Sequence, residues 1–316
     1  MMYERRLFDP ELQVPTDGAV YIYNNEIVLA VNVALAVGRP LLVRGPSGCG
    51  KSTLARSVSS VLGAAYYEHI VTSRTRARDL LWRVDLLRRF HDAQIPSGDI
   101  AALEKYVDPG ILWWAIDPDS ARRRGSSSLR PELQVSDPRA GWHDRSGTNR
   151  PTSSAGDPRA AVVLIDEIDK ADPDVPNDLL HVFDTMQFVV EETGFVVRAS
   201  KLPLVIVTSN DERELPLAFT RRCLELTMSM PDTARLIRIG KAHFPQADER
   251  LLDQLAKIVI ERARYSRDDG MPPPSTAEYL DAIKACLALA IYPGSEMFDF
   301  VVASTTLKPR RGLEDF

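Results

Sequence analysis

Leu41-Leu42-Val43, Ala161-Val162-Val163-Leu164-Ile165 and Leu204-Val205-Ile206-Val207 are short segments apolar at every position. Strands covered on both faces, as in a parallel sheet, read this way rather than as an apolar/polar alternation. Between and before them apolar residues recur at helical spacing, first at Ile27, Val28, Val31, Ala34 and Leu35, then at Leu54, Val58, Val61 and Leu62. Beyond Pro231-Asp232 only the helical period remains, carried by Leu236, Ile237 and Ile239 and then by Leu251, Leu252, Leu255, Ile258 and Val259. Phe188-Val189-Val190 and Phe195-Val196-Val197 flank Glu191-Glu192-Thr193-Gly194, a hairpin signal with glycine at the turn. Pro272-Pro273-Pro274 forms a stiff break, after which Ser275 and Glu278 have the spacing of a capping box; the last helix is expected over Glu296 to Ala303, with a loose polar tail after it. The expected organisation is an arm over residues 1–20, an α/β unit over 21–232 and a helical unit over 233–316.

Two stretches of the α/β unit depart from this rhythm. Residues 72–121 open with Thr72 to Trp82 and run on through Val84, Leu86, Leu87, Phe90 and His91. They are expected to form a long amphipathic helix with Arg74, Arg76, Arg78, Arg83, Arg88 and Arg89 on a charged face, followed by an apolar block around Trp113-Trp114. Such a face is either solvated or grips an acidic polymer. Residues 122–159, rich in Ser, Pro, Gly and Arg without period, are expected to be a disordered basic loop.

Composition adds boundaries rather than an answer. A length of 316 residues and 44% hydrophobic content suit a two-unit globular protein, and a net charge of −5 argues against a chain built wholly to coat nucleic acid. Three cysteines, at 49, 223 and 286, imply no disulfide framework. With neither a long apolar span nor a secretory leader pattern, the expectation is a cytoplasmic protein with no membrane partner.

The chemistry is concentrated where apolar runs end. Gly45-Pro46-Ser47-Gly48-Cys49-Gly50-Lys51-Ser52-Thr53 follows the first predicted strand and opens a predicted helix. A glycine-rich turn leaves backbone N–H groups free to surround a phosphate, and the helix N-terminus adds positive potential. Lys51 is then placed to bridge the β- and γ-phosphates of ATP, with the Ser52 hydroxyl on Mg²⁺. Asp166 and Glu167 end the second strand: Asp166 is the expected Mg²⁺ ligand and Glu167 the general base for water. Asn210, at the tip of the third strand, is the candidate for orienting that water. Arg221 and Arg222 follow shortly after and are candidates for a guanidinium offered to a neighbour's γ-phosphate.

With these four motifs in this order, the chain resembles the AAA+ ATPases over most of residues 20 to 290. The wording Leu164-Ile165-Asp166-Glu167-Ile168-Asp169-Lys170-Ala171, the long insert and the Pro216 to Cys223 segment resemble the MoxR-like branch, near the dynein-related ATPases. The resemblance implies an α/β P-loop fold: a five-stranded parallel sheet with flanking helices and a small all-α lid. It also implies a homo-oligomeric ring, commonly a hexamer, in which Arg222 is the arginine finger and Arg221 the fallback. Proteins of this branch resemble chaperones that remodel or activate a partner, often one with a von Willebrand factor A-type domain, and some serve bacterial conflict systems. In one place the pattern is broken: Ala277 stands where the lid usually carries a sensor arginine. Lys284, Arg262 or Arg264 replaces it, or the lid does not touch the γ-phosphate.

Two other readings stay open at this point. One is a nucleic-acid motor similar to the McrB NTPases, in which Arg83, Arg88 and Arg89 contact the polymer. The other is a nucleotide-gated binding module with little hydrolysis.

Overall fold

The computed structural model describes residues 7–10, 20–94, 103–126, 133–138, 161–268 and 274–306. Helix α1 (Asn25–Val37) starts where the Asn24 side chain accepts the Ile27 amide hydrogen. Strand β1 (Leu41–Arg44), helix α2 (Lys51–Leu62) and strand β2 (Tyr66–Ile70) follow. The next stretch holds α3 (Ala77–Leu81), β3 (Trp82–Val84), α4 (Leu86–Ala93), β4 (Val107–Pro109), α5 (Ile111–Ile116) and α6 (Pro118–Arg122). Strand β5 (Val162–Asp166) leads through α7 (Asp174–Asp178) and α8 (Leu180–Thr185) to the hairpin strands β6 (Gln187–Val190) and β7 (Phe195–Arg198). Then come β8 (Leu204–Ser209), α9 (Leu217–Thr220) and β9 (Leu224–Thr227). The helices α10 (Thr233–His243), α11 (Glu249–Asp268), α12 (Thr276–Ala288) and α13 (Glu296–Thr306) complete the chain.

The main sheet has five strands in the order β2-β5-β8-β1-β9, all parallel. Its apolar strands are buried throughout, as the uninterrupted runs predict, and helices flank it. The registers decide what shares an edge. Arg44 lies opposite Ser209, and Ile70 opposite Asp166, so the polar residues that end β1, β5 and β8 gather at the carboxyl edge. Leu41 lies opposite Leu224, so the turn that precedes β9 belongs to the amino edge.

The chain divides into two compact units. The first includes Tyr23–Arg44 and Ser52–Thr227; the second includes Val20–Ile22, Gly45–Lys51 and the chain from Met228 onward. The second has its own core of Leu236, Leu252, Leu255, Tyr279, Ile283 and Phe298. Gly240 permits close helix packing there, since a Cβ would meet the Tyr279 hydroxyl at 2.8 Å.

The insert differs from the expected single helix. After α3 the backbone becomes extended at Trp82, and β3 pairs antiparallel with β4. Tertiary contact overrides the helical period: the Trp82 indole stacks on Phe188 at 5.7 Å, and its N–H donates to Glu192 at 2.7 Å. The charged face is broken up as well, because Arg78 pairs with Glu192 at 3.2 Å and Arg83 with Asp79 at 3.3 Å. In the basic loop Leu133 is buried, and the Val135 amide donates to the Arg122 carbonyl, so this stretch is ordered; the remainder of that loop lies outside the described residues. Of the arm, Phe8 is fully buried, and Asn32 holds it by accepting from its amide and donating to its carbonyl. The last helix runs to Thr306, three residues beyond expectation.

Candidate nucleotide site

The Gly45–Gly50 loop joins β1 to α2. Gly45, Gly48 and Gly50 have φ of 148°, 79° and 98°, a backbone that lets successive N–H groups face a common anion. Lys51 is buried at 6% exposure, and its ammonium donates to the carbonyls of Gly45 at 2.7 Å and Pro46 at 2.9 Å. Ser47 and Thr53 are exposed, while Cys49 is buried, which pushes its thiol pKa up against the opposing charge of Lys51. In the same unit the start of α12 rests on this loop: the Thr276 amide donates to the Gly48 carbonyl at 3.2 Å. A Cβ at position 48 would stand 2.1 Å from that of Ser275, so both packing and φ require glycine. The capping box of α12 is formed, Ser275 N–H to Glu278 at 2.5 Å and Glu278 N–H to Ser275 Oγ at 3.4 Å.

At the carboxyl edge of the sheet the Ser52 hydroxyl lies 2.8 and 2.9 Å from the two oxygens of Asp166. A hydroxyl and a carboxylate converging in this way form the hard-oxygen donor set that Mg²⁺ takes. The chemistry of Ser52 and Asp166 fits Mg²⁺, and the loop ahead of α2, by its own free N–H groups, fits a phosphate.

Around this pair is a polar network that the sequence reveals only in part. Thr208, wholly buried, donates to Asp166 at 2.6 Å and accepts from the Glu167 amide at 2.8 Å. Glu167 has left-handed φ and ψ of 60° and 50°, a conformation that costs a non-glycine residue about 1–3 kcal/mol. Its carboxylate accepts from Asn210 Nδ2 at 3.1 Å and from the Lys170 ammonium at 2.6 Å, and the latter contact raises the Lys170 pKa. Asp169, 3% exposed, accepts from the amides of Asn210 at 3.1 Å and Glu212 at 3.0 Å. The strand tips of β5 and β8 are thus tied by both side chains and backbone. Thr208, Asp169 and Lys170 were not among the expected site residues, and the signal for Thr208 was a hydroxyl at the end of a wholly apolar run.

Arg221 and Arg222 do not join this cluster. They lie in the turn before β9, at the amino edge, and both are exposed. Arg222 donates to Asp184 at 2.7 Å and to the Ala218 carbonyl at 3.2 Å. Among the basic candidates in the helical unit, Arg262 is committed to α13 through the Val302 carbonyl and the Thr306 hydroxyl, while Lys284 and Arg264 are exposed. Arg235 of α10 was not anticipated; it donates to the Ile22 carbonyl at 3.3 Å, and its charge acts on the Cys49 thiol.

The family model for the AAA domain of the dynein-related subfamily matches residues 40–223. Among solved structures, a mutant of RuvB from Thermotoga maritima is similar with a TM-score of 0.47 and 15% identity, over 88% of this chain and 67% of that one. The Thermotoga maritima RuvB Holliday junction branch migration motor is similar with a TM-score of 0.44 and 14% identity, over 88% and 66%. The chain thus spans about two thirds of the length of those RuvB chains. No curated protein matches it.

Proposed function

Because the chain belongs to the dynein-related family of AAA domains, we propose that it is an ATP hydrolase of the MoxR-like kind that works as a ring, commonly a hexamer, to remodel or activate a partner protein. The observation that carries this reading is the separation of its reactive groups between two edges of one sheet. Ser52, Asp166, Glu167 and Asn210 meet at the carboxyl edge, while Arg221 and Arg222 lie at the amino edge. The four residues of β1 alone place roughly 10 Å between the edges at ~3.3 Å per residue. Arg222 is directed away from its own site and toward Asp184, and a second copy is the natural recipient of its charge.

In this mechanism Lys51 and the loop N–H groups would bind the β- and γ-phosphates, and Ser52 and Asp166 would hold Mg²⁺. The ion, when bound, neutralises charge on the phosphate oxygens. A water oxygen attacks the γ-phosphorus as the bond from that phosphorus to the bridging oxygen breaks; ADP leaves with the electron pair, and the proton of the water passes to Glu167. Asn210 aligns Glu167, to which it is already hydrogen-bonded. Arg222 of a neighbouring copy neutralises charge in the transition state, a contribution of about 10³–10⁵ in rate. Since the two halves of each site belong to different subunits, hydrolysis moves one subunit against the next and displaces whatever is bound to the inserts.

A protein partner, with a von Willebrand factor A-type domain as candidate, is the reading the family resemblance favours; of the arginines a nucleic-acid reading would use, Arg83 pairs with Asp79 while Arg88 and Arg89 are exposed. No helix among the described residues is long and apolar enough to cross a membrane. We assign the protein to the cytoplasm on the family resemblance.

Sedimentation of wild type, Glu167→Gln and Arg222→Ala, with and without ATP and Mg²⁺, tests the proposal when phosphate release is followed on the same samples. Expected are an ATP-dependent ring for Glu167→Gln, hydrolysis by wild type, and ring formation with hydrolysis lowered about a thousandfold or more for Arg222→Ala. Monomeric behaviour of all three with no phosphate release would overturn the ring mechanism for this chain.

A further inference from the structure

We propose that Arg39 is a positioning residue for the arginine finger. This rests on the reading of Arg222 as that finger. Arg39 lies in the short connection from α1 to β1, far from Arg222 in sequence. Its guanidinium donates from Nε to the Arg222 carbonyl at 2.9 Å and from Nη2 to the Cys223 carbonyl at 3.1 Å, and Nη2 also donates to the Arg221 carbonyl. One planar, multi-donor group thus gathers three successive carbonyls at the place where α9 has ended and β9 has not begun. The neighbouring Pro40 adds a backbone bond, accepting from the Leu224 amide at 2.8 Å.

Helix ends leave carbonyls without intrahelical partners, and an exposed turn ordinarily gives them to water. Here they are given to a side chain carried by the entry to β1, the strand whose other end leads into the phosphate loop. The turn is thereby fixed to the sheet at two points, the Arg39 contacts and the β1–β9 pairing. The Arg222 side chain is fixed separately: Nε faces Asp184 and Nη1 the Ala218 carbonyl. Among the described residues Nη2 of Arg222 has no hydrogen-bond partner, which leaves a donor edge for a phosphate oxygen. An arginine held this way surrenders its rotamer freedom before the neighbour arrives rather than in the transition state. Arg39 sets where the finger stands, and Asp184 sets how it points.

Mixed rings give the test, because a finger defect is repaired by a neighbour and a defect in the subunit's own site is not. Glu167→Gln subunits keep their finger but cannot hydrolyse; Arg39→Ala subunits keep their own site but present a misplaced finger. Alone, Arg39→Ala is expected to lower kcat about tenfold to a hundredfold, with KM for ATP and the melting temperature little changed, and Arg39→Lys to fall between it and wild type. Mixed with Glu167→Gln, Arg39→Ala is expected to hydrolyse ATP several-fold faster than the two samples measured apart. The same mixture made with Arg222→Ala calibrates the reading underneath. If Arg222→Ala is rescued and Arg39→Ala is not, the assignment of Arg39 is wrong; if neither is rescued, the finger itself is wrong. Amide exchange at Arg222, Cys223 and Leu224, which needs no turnover, should accelerate at least tenfold in Arg39→Ala, and unchanged exchange there would overturn the proposal.

Discussion

Asp169 shows how much of this site depends on single hydrogen bonds. It is a nearly fully buried carboxylate that rests on its Oδ2 contacts alone, since its Oδ1 is buried with no hydrogen-bond partner among the described residues. Two amides of the loop that carries Asn210 meet one of its oxygens, so Asp169 holds the backbone on which the candidate water-orienting residue stands. Thr208 does the same for the β5 tip, linking the Asp166 carboxylate to the Glu167 amide and supporting the left-handed backbone at Glu167. Asp169→Ala should destabilise the first unit by about 2–3 kcal/mol, the loss expected when hydrogen bonds to a buried charged group are removed. Urea unfolding measures the loss, and faster amide exchange at Asn210 and Glu212 locates it; a variant as stable as wild type would show that those bonds carry little. Lys51, Ser52, Asp166 and Glu167 could be named as candidates from local wording because a glycine-rich loop and a strand ending in acids are written in consecutive residues. Asp169 and Thr208 gain their role only from the register of β5 against β8.

At the scale of elements, the insert and the hairpin are bound together by aromatic packing. Trp82 stacks on Phe188, Trp113 meets the edge of Phe188 and lies nearly parallel to Phe195, and Glu192 at the hairpin tip accepts from the Trp82 N–H. Glu191 is exposed, but Glu192 is committed to Trp82 and Arg78. Trp82→Phe retains a ring to stack and removes the donor, leaving a partly buried carboxylate short of one bond. It should cost about 1–3 kcal/mol in urea unfolding, whereas Trp82→Phe combined with Glu192→Gln should recover part of that loss. Equal losses in the single and double variants would remove Glu192 as the cause. The break of the expected long helix at Trp82 has the same origin, since a helical Trp82 would forfeit both the indole contacts and the β3–β4 pairing.

For the molecule as a whole, buried titratable groups set a pH window of stability. Burial pushes the Cys223 thiol up to about 12 and raises Cys49, Tyr66 and Tyr279 as well. The unfolded chain releases its thiol protons near pH 8.5 while the folded chain retains them, so stability falls as pH rises from there, by up to about 1.4 kcal/mol per pH unit for each such group. Burial lowers the pKa of His69 and His243. The unfolded chain takes up those protons below about pH 6.5 and the folded chain resists, so stability also falls as pH drops through that value. Urea midpoints at pH 5, 7.5 and 10 should therefore be highest at 7.5, and an equal midpoint at 10 would contradict the buried state of the thiols. The parallel α/β class and the C-terminal helices were determined by the sequence by itself, and the candidate phosphate-site residues could be named from it, because apolar runs, helical periods and glycine-rich turns are local consequences of covalent geometry and solvent. Only the tertiary structure decided which residues share an edge of the sheet, that Arg222 stands opposite its own site, that Arg39 reaches its turn, and that Trp82 leaves the helix. These depend on strand register and on contacts between residues distant in the chain, and no periodicity records either.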